Sequence, residues 1–332
     1  MNTLRTRRSR LLSMLSASSL VLLTLAGCGS DEMADDESTA LTDEEMAYEE
    51  TAAASEEMTE TAEVSAAPEA LGSAGFLDRT TLVVSIFVSD ADYQWDFTNN
   101  AADQQTAQDT IKYVGIGTDF LKNAAAQYGK TADFVYDWNQ NQDIVYETSF
   151  MDRSLANTDS GYDSVDYFVK QNIPADTLRE EYSAENVIYL AFYNTPESFE
   201  ITSNTVAILP SNSADYGADE MISVYTHCDG IMETPGVYAH EMLHCFGAPD
   251  LYSDAKDNDY GLTTDLRNAY VQIHPDDIMY KDGYDPVSDE PVYDHVPTQI
   301  TDLTAYYVGL TDDSQFKDEY QLADSQYVQL EG

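Results

Sequence analysis

From residue 76 the chain alternates short apolar runs with longer amphipathic stretches. TLVVSIFVSD, residues 81–90, is rich in β-branched side chains, which predicts a central strand. Residues 104–129 carry apolar positions at helical spacing, and the pattern stops near Gly129. ADFVYDWN (132–139) alternates and predicts a second strand; NVIYLAFYN (186–194) predicts a third. TVAILP (205–210) and EMISVYTHC (220–228) read as further strands, the latter as a sheet edge beside the site helix discussed below. Two short helices are expected within 164–172 and 174–185. Strands alternating with helices predict an α/β domain with a twisted, mixed but mostly parallel sheet. After residue 250 the chain is loop-rich until 298–310, where Ile300, Leu303, Tyr307 and Leu310 mark one face of a closing helix. There is no internal repeat.

The N-terminus does not fit this alternation. Residues 1–27 combine Arg5, Arg7, Arg8 and Arg10 with an apolar, serine-rich run too short for a comfortable span, the pattern of an export signal. Leu25–Ala26–Gly27–Cys28 follows, in the order Leu-Ala-Gly-Cys. It resembles the lipobox of bacterial lipoproteins, which implies cleavage before Cys28 and a lipid on its thiol. An ordinary signal peptide or an uncleaved anchor is the plainer reading. Residues 28–75 hold fifteen acidic and no basic side chains, so they read as a self-repelling tether without a core. The folded part is then 76–332. The expected location is outside the cell, lipid-anchored to the membrane.

Charge narrows the partners. Residues 76–332 carry 11 Lys and Arg against 46 Asp and Glu, most of the chain's formal −46. That field repels nucleic acid and anionic membrane surfaces, leaving the lipid as the only membrane contact. A monomer is expected. Apart from Cys28 there are two cysteines, Cys228 and Cys245. Export permits a disulfide between them, and two buried thiols fit the sequence equally.

The chemistry is concentrated in HEMLHCFGAPDLY, residues 240–252, which holds two of the five histidines. Thr234 suits an N-cap, Pro235 the first helical position and Gly247 a left-handed end, so 235–246 should be a helix. His240 and His244 then share a face and can hold one metal ion, with Glu241 beside the first as a general base. A pair of surface histidines is the alternative. It is weakened because Val237, Leu243 and Phe246 would bury this helix. His227 with Cys228 makes a poor second metal site, and His274 and His295 read as surface or supporting residues. The carboxylate-rich 254–265 segment is a weak candidate for Ca2+, since it lacks the spacing of an EF-hand loop.

His240, Glu241, His244, Gly247 and Asp250 extend the motif to HExxHxxGxxD. In this the chain resembles the metzincin class of zinc peptidases, and in the acidic last position the snapalysin-like and immune inhibitor A families. The resemblance covers roughly 220–310. It implies a metzincin-like zincin domain with an active-site helix and a loop-rich C-terminal part ending in a helix. It also implies Zn2+ on His240, His244 and Asp250, a Met-turn at Met279, and hydrolysis of peptide bonds in extracellular proteins. Where several such enzymes have a tyrosine two residues after the methionine, this chain has Lys281. Tyr280 and Tyr284 flank it as candidates for supporting the transition state. Two rivals remain from the sequence. One is a peptidase of another class with a distant third ligand such as Glu290. The other is a catalytically silent metal-binding lipoprotein that captures a protein or glycan.

Overall fold

The computed structural model of the protein describes residues 72–206, 221–252, 262–285, 287, 288 and 290–320. Export signal, Cys28 and nearly all of the tether lie outside the described residues, as do 254–261 of the proposed Ca2+ loop.

The sheet is built on two strands with almost no exposed side chains, β1 (Thr80–Asp90) and β4 (Asn186–Tyr193), which pair in parallel. Their β-branched and aromatic residues are buried on both faces, as a parallel sheet requires. Beyond β1 lie β2 (Asp133–Val135) on its first half and β3 (Val145–Phe150) on its second. On the other side β4 pairs with β6 (Met221–Tyr225) in parallel, and β6 with β5 (Asn204–Val206) in antiparallel. The order is β2-β1-β4-β6-β5, mixed and mostly parallel as expected. A small ribbon of β7 (His227–Cys228) and β8 (Ile231–Met232) leads into the site helix.

Four helices connect and cover these strands: α1 (Ala101–Gln127), α2 (Asp159–Asn172), α3 (Ala175–Tyr182) and α4 (Pro235–Cys245). Asn100 opens α1 by accepting from the Ala102 amide at 3.0 Å. Helix α1 packs along α4, with Gly117 close against the first turns of that helix. The rest is α5 (Thr264–Ile273), α6 (Asp302–Tyr307) and α7 (Gln315–Tyr320). No helix among the described residues is long and apolar enough to cross a membrane.

Several expectations are corrected. β6 is not an edge, because β5 covers its outer side; among the described residues β5 is the outermost strand there. The second strand stops at Val135, since Asp137 folds the chain into a turn: its carbonyl accepts from Gln140 and Asn141, and its carboxylate from Asn139. β3 and α5 went unpredicted. β3 is a half-exposed edge strand, and α5 hides its pattern by burying Arg267 beside Tyr270 and Val271. The closing helix spans only 302–307, although Ile300, Leu303, Tyr307 and Leu310 are all buried as expected. The folded body also reaches back into the segment read as tether. Ala74 is buried, and its amide donates to the Cys245 carbonyl at 3.0 Å.

Candidate metal centre

Helix α4 begins at Thr234 and Pro235 as predicted, although the Thr234 side chain caps no amide. Gly247 ends it with φ +98°, a conformation that costs glycine nothing and other residues a clash with Cβ. The reversal that follows brings Asp250 back over the helix. His240 and His244 lie one turn apart, with ring centroids separated by 4.8 Å. Asp250 Oδ1 sits 3.3 Å from His240 Nε2 and 3.2 Å from His244 Nε2. Among the described residues, these three form the one group of His, Cys, Asp or Glu donors close enough to share an ion.

Each histidine is oriented by backbone. His240 Nδ1 lies 3.0 Å from the Ile278 carbonyl, and His244 Nδ1 lies 2.7 Å from that of Ala248. A carbonyl can only accept, so in the neutral rings both protons sit on Nδ1 and both Nε2 lone pairs face inward. Asp250 Oδ1 is itself buried and takes no hydrogen bond, although the side chain as a whole is 37% exposed. The exposed part is therefore elsewhere on that carboxylate. Three acceptors converge with only the Tyr252 hydroxyl beside them as a donor, and a cation relieves their mutual repulsion. The ionisation pattern agrees. Burial works to lower the His240 pKa, yet the Asp250 carboxylate, helped by Glu241 and Asp282, pushes it up to about 10. His244 is raised in the same way, against its burial and mainly by Asp250. Burial works to raise Asp250, but His244 and His240 hold it well below the usual carboxylate range. A proton on an imidazole here supplies the positive charge that a metal ion would. Two imidazoles and one carboxylate, each braced from outside, are a donor set that suits zinc.

Glu241 is buried beside His240, and its charge is felt by both histidines and by Tyr252. Met279 is fully buried. Its turn is held by Asp277, whose carboxylate accepts from the Met279 amide at 2.9 Å and from Thr304 Oγ1. The Ile278 carbonyl that orients His240 belongs to this turn, so the methionine segment acts on the site through its backbone.

Tyr252 was missed as a functional residue. Its hydroxyl is 2.9 Å from His240 Nε2, and its ring stacks on His240 at 5.8 Å with an interplanar angle of 11°. Burial and the charges of Asp250, Asp282 and Glu241 raise its pKa well above the ordinary value, so it remains a donor. The signal was present: Asp250 and Tyr252 flank buried Leu251, and in extended chain alternate residues share a face. Tyr280 is half-buried against the core, and Tyr284 lies in a bridge with Pro291. The Tyr252 hydroxyl lies on the cluster.

The remaining candidates fall elsewhere. Glu290 is exposed and outside the cluster, so the distant-ligand alternative has no support. His227 Nδ1 bonds the Thr195 carbonyl at 3.0 Å, His274 packs on Tyr270, and His295 is exposed. Cys228 and Cys245 are both buried, and no disulfide joins them in this structure. The Cys245 thiol turns back along its own helix toward the Glu241 carbonyl, 3.8 Å away, while Cys228 is held in the β7–β8 ribbon.

No protein-family model matches this chain, and no curated protein is detectably similar to it.

Proposed function

We propose that the protein is a zinc-dependent endopeptidase, tethered by a lipid on Cys28 to the outer face of a bacterial membrane and acting on extracellular proteins or peptides. One observation carries the reading. His240, His244 and Asp250 aim three acceptor atoms at a single point, with Glu241 next to the first ligand on the same helix. A purely structural zinc more often recruits a fourth protein ligand and has no use for that glutamate.

Zinc bound there would supply a Lewis acid and an acidified water. Glu241 takes the proton of the attacking water and delivers it to the leaving amine. Tyr252 lies at the cluster with its proton retained, so its hydroxyl donates to the substrate oxygen as that oxygen gains charge. Its bond to His240 Nε2 must be exchanged for this one, because a metal claims that lone pair. β5 and β6 both pack on α4, and β5 is the outer strand. An extended substrate backbone adds alongside β5, the outer strand among the described residues, in place of the β6 edge expected from sequence.

The test is bound zinc and cleavage of unstructured casein by the full chain and by Glu241→Gln. The expected result is one zinc in each, with cleavage reduced at least about a hundredfold in the variant, the scale of a lost general base. Equal cleavage removes Glu241 from its role. Zinc in both with cleavage by neither favours the silent binding lipoprotein.

A further inference from the structure

Asp250 is the ligand most in need of external support. His240 and His244 are fixed by a helix, whereas Asp250 stands on a reversal after Gly247. Its own peptide unit shows how it is held. The Asp250 carbonyl accepts from Arg267 Nε at 3.1 Å, and the Leu251 amide, the other end of the same peptide, donates to the Met279 carbonyl at 3.0 Å. One peptide plane is thus gripped at both ends, by α5 and by the methionine turn. A fixed plane fixes ψ of Asp250, and with it the direction in which the carboxylate leaves the chain.

Arg267 is built for this. It is among the largest fully buried side chains, at 1% exposure, and it lies in the first turn of α5, which opens where Thr263 Oγ1 accepts from the Leu266 amide. Burying a guanidinium is costly unless it makes charge-assisted hydrogen bonds. Packing alone would be met more cheaply by leucine or methionine.

We propose that Arg267 is a positioning residue for the metal centre: its Nε–H orients the Asp250 peptide so that the carboxylate completes the site made by the two histidines. This rests on the metal-centre reading above. Arg267 is assigned contact with neither substrate nor metal, and it acts on the site through the Asp250 peptide. The role belongs to the donor at the Nε position rather than to the positive charge.

The side chains separate those two. Gln places its amide nitrogen the same number of bonds from Cα as Arg Nε, so Arg267→Gln keeps the donor and removes the charge. Arg267→Lys keeps the charge but moves the nitrogen one bond further out. Arg267→Met keeps the bulk and has neither.

The experiment measures zinc affinity of the full chain and these variants by competition with a chromophoric chelator. It also records the visible bands of the cobalt-loaded forms, whose intensity follows ligand geometry, and the melting of the metal-free proteins. The expected order is wild type close to Arg267→Gln, with Arg267→Lys and Arg267→Met weaker by about ten- to a hundredfold, as for other outer-shell partners of metal ligands. The cobalt bands of the two weak variants should change, beyond any change in metal-free melting. Should Arg267→Met fail to fold, the comparison of Gln with Lys decides. Lys binding as well as or better than Gln, or all variants matching wild type, overturns the inference. A wild type that binds no zinc overturns the metal centre itself, which is a separate result.

Discussion

Glu233 offers a prediction whose size follows directly from its surroundings. It lies just before α4 and is buried, with one carboxylate oxygen accepting from the Ser203 amide at 3.0 Å, Ser203 Oγ at 3.0 Å and Thr202 Oγ1 at 3.3 Å. It thereby ties the start of the site helix to the residues that lead into β5. Burial raises its pKa from the ordinary 4.5 to about 7; the Ser203 bonds oppose this, and the charges of Asp282 and Glu241 add to it. The native state therefore binds a proton more tightly than the unfolded chain. Stability from this group is fully present below about pH 4.5 and is lost as pH rises through about 7. At about 1.4 kcal/mol for each tenfold change in proton affinity, the full loss is roughly 3 kcal/mol. Glu233→Gln keeps an acceptor oxygen for all three bonds and cannot ionise. Urea denaturation of the metal-free chain and the variant from pH 4 to pH 8 measures the difference, and titrations common to both cancel. The curves should lie parallel at the acid end and diverge upward through neutrality, with the variant more stable at pH 8 by roughly 3 kcal/mol. A constant difference across that range would refute the reasoning, because it would mean that Glu233 ionises in the fold as easily as in the unfolded chain.

Other consequences are as direct. Tyr252→Phe should lower kcat by about ten- to a hundredfold with zinc content unchanged, the scale of one lost transition-state donor; an unchanged kcat returns the question to Tyr280 and Tyr284. Gly72→Ala should lower the melting temperature through a loss of about 1–3 kcal/mol, since a Cβ there falls 2.0 Å from the Cys245 carbonyl oxygen and 2.5 Å from the Gly247 nitrogen. A melt identical to wild type would show that the residues before 76 are not part of the folded body. Alkylation in denaturant without reductant should label both Cys228 and Cys245, and a cross-linked peptide pair from these two would restore the disulfide.

What the sequence settled by itself was local. The 3.6-residue period and its punctuation placed α4 between Thr234 and Gly247, and a helix one turn long in its spacing is enough to put His240 and His244 on one face. Gly247 signalled the reversal because only a residue without Cβ accepts its backbone cheaply, whereas Asp250 was named through the resemblance to HExxHxxGxxD zinc peptidases. Continuous β-branched runs identified β1 and β4, since strands buried on both faces have no polar alternation to obscure them. What depended on distant chain segments was not legible. Which strand lies outermost is a matter of pairing partners, and the short β5 took the edge from β6. Arg267 sits in a stretch that reads as loop, and only the fold shows that it is buried against the carbonyl of Asp250. Asp277 looks like one loop acidic residue among many, yet it closes the turn whose carbonyls hold both His240 and the Asp250 peptide. Ligands can be read along one helix because their geometry is periodic. The groups that aim them come from wherever packing brings a donor or a carbonyl, and no period records that.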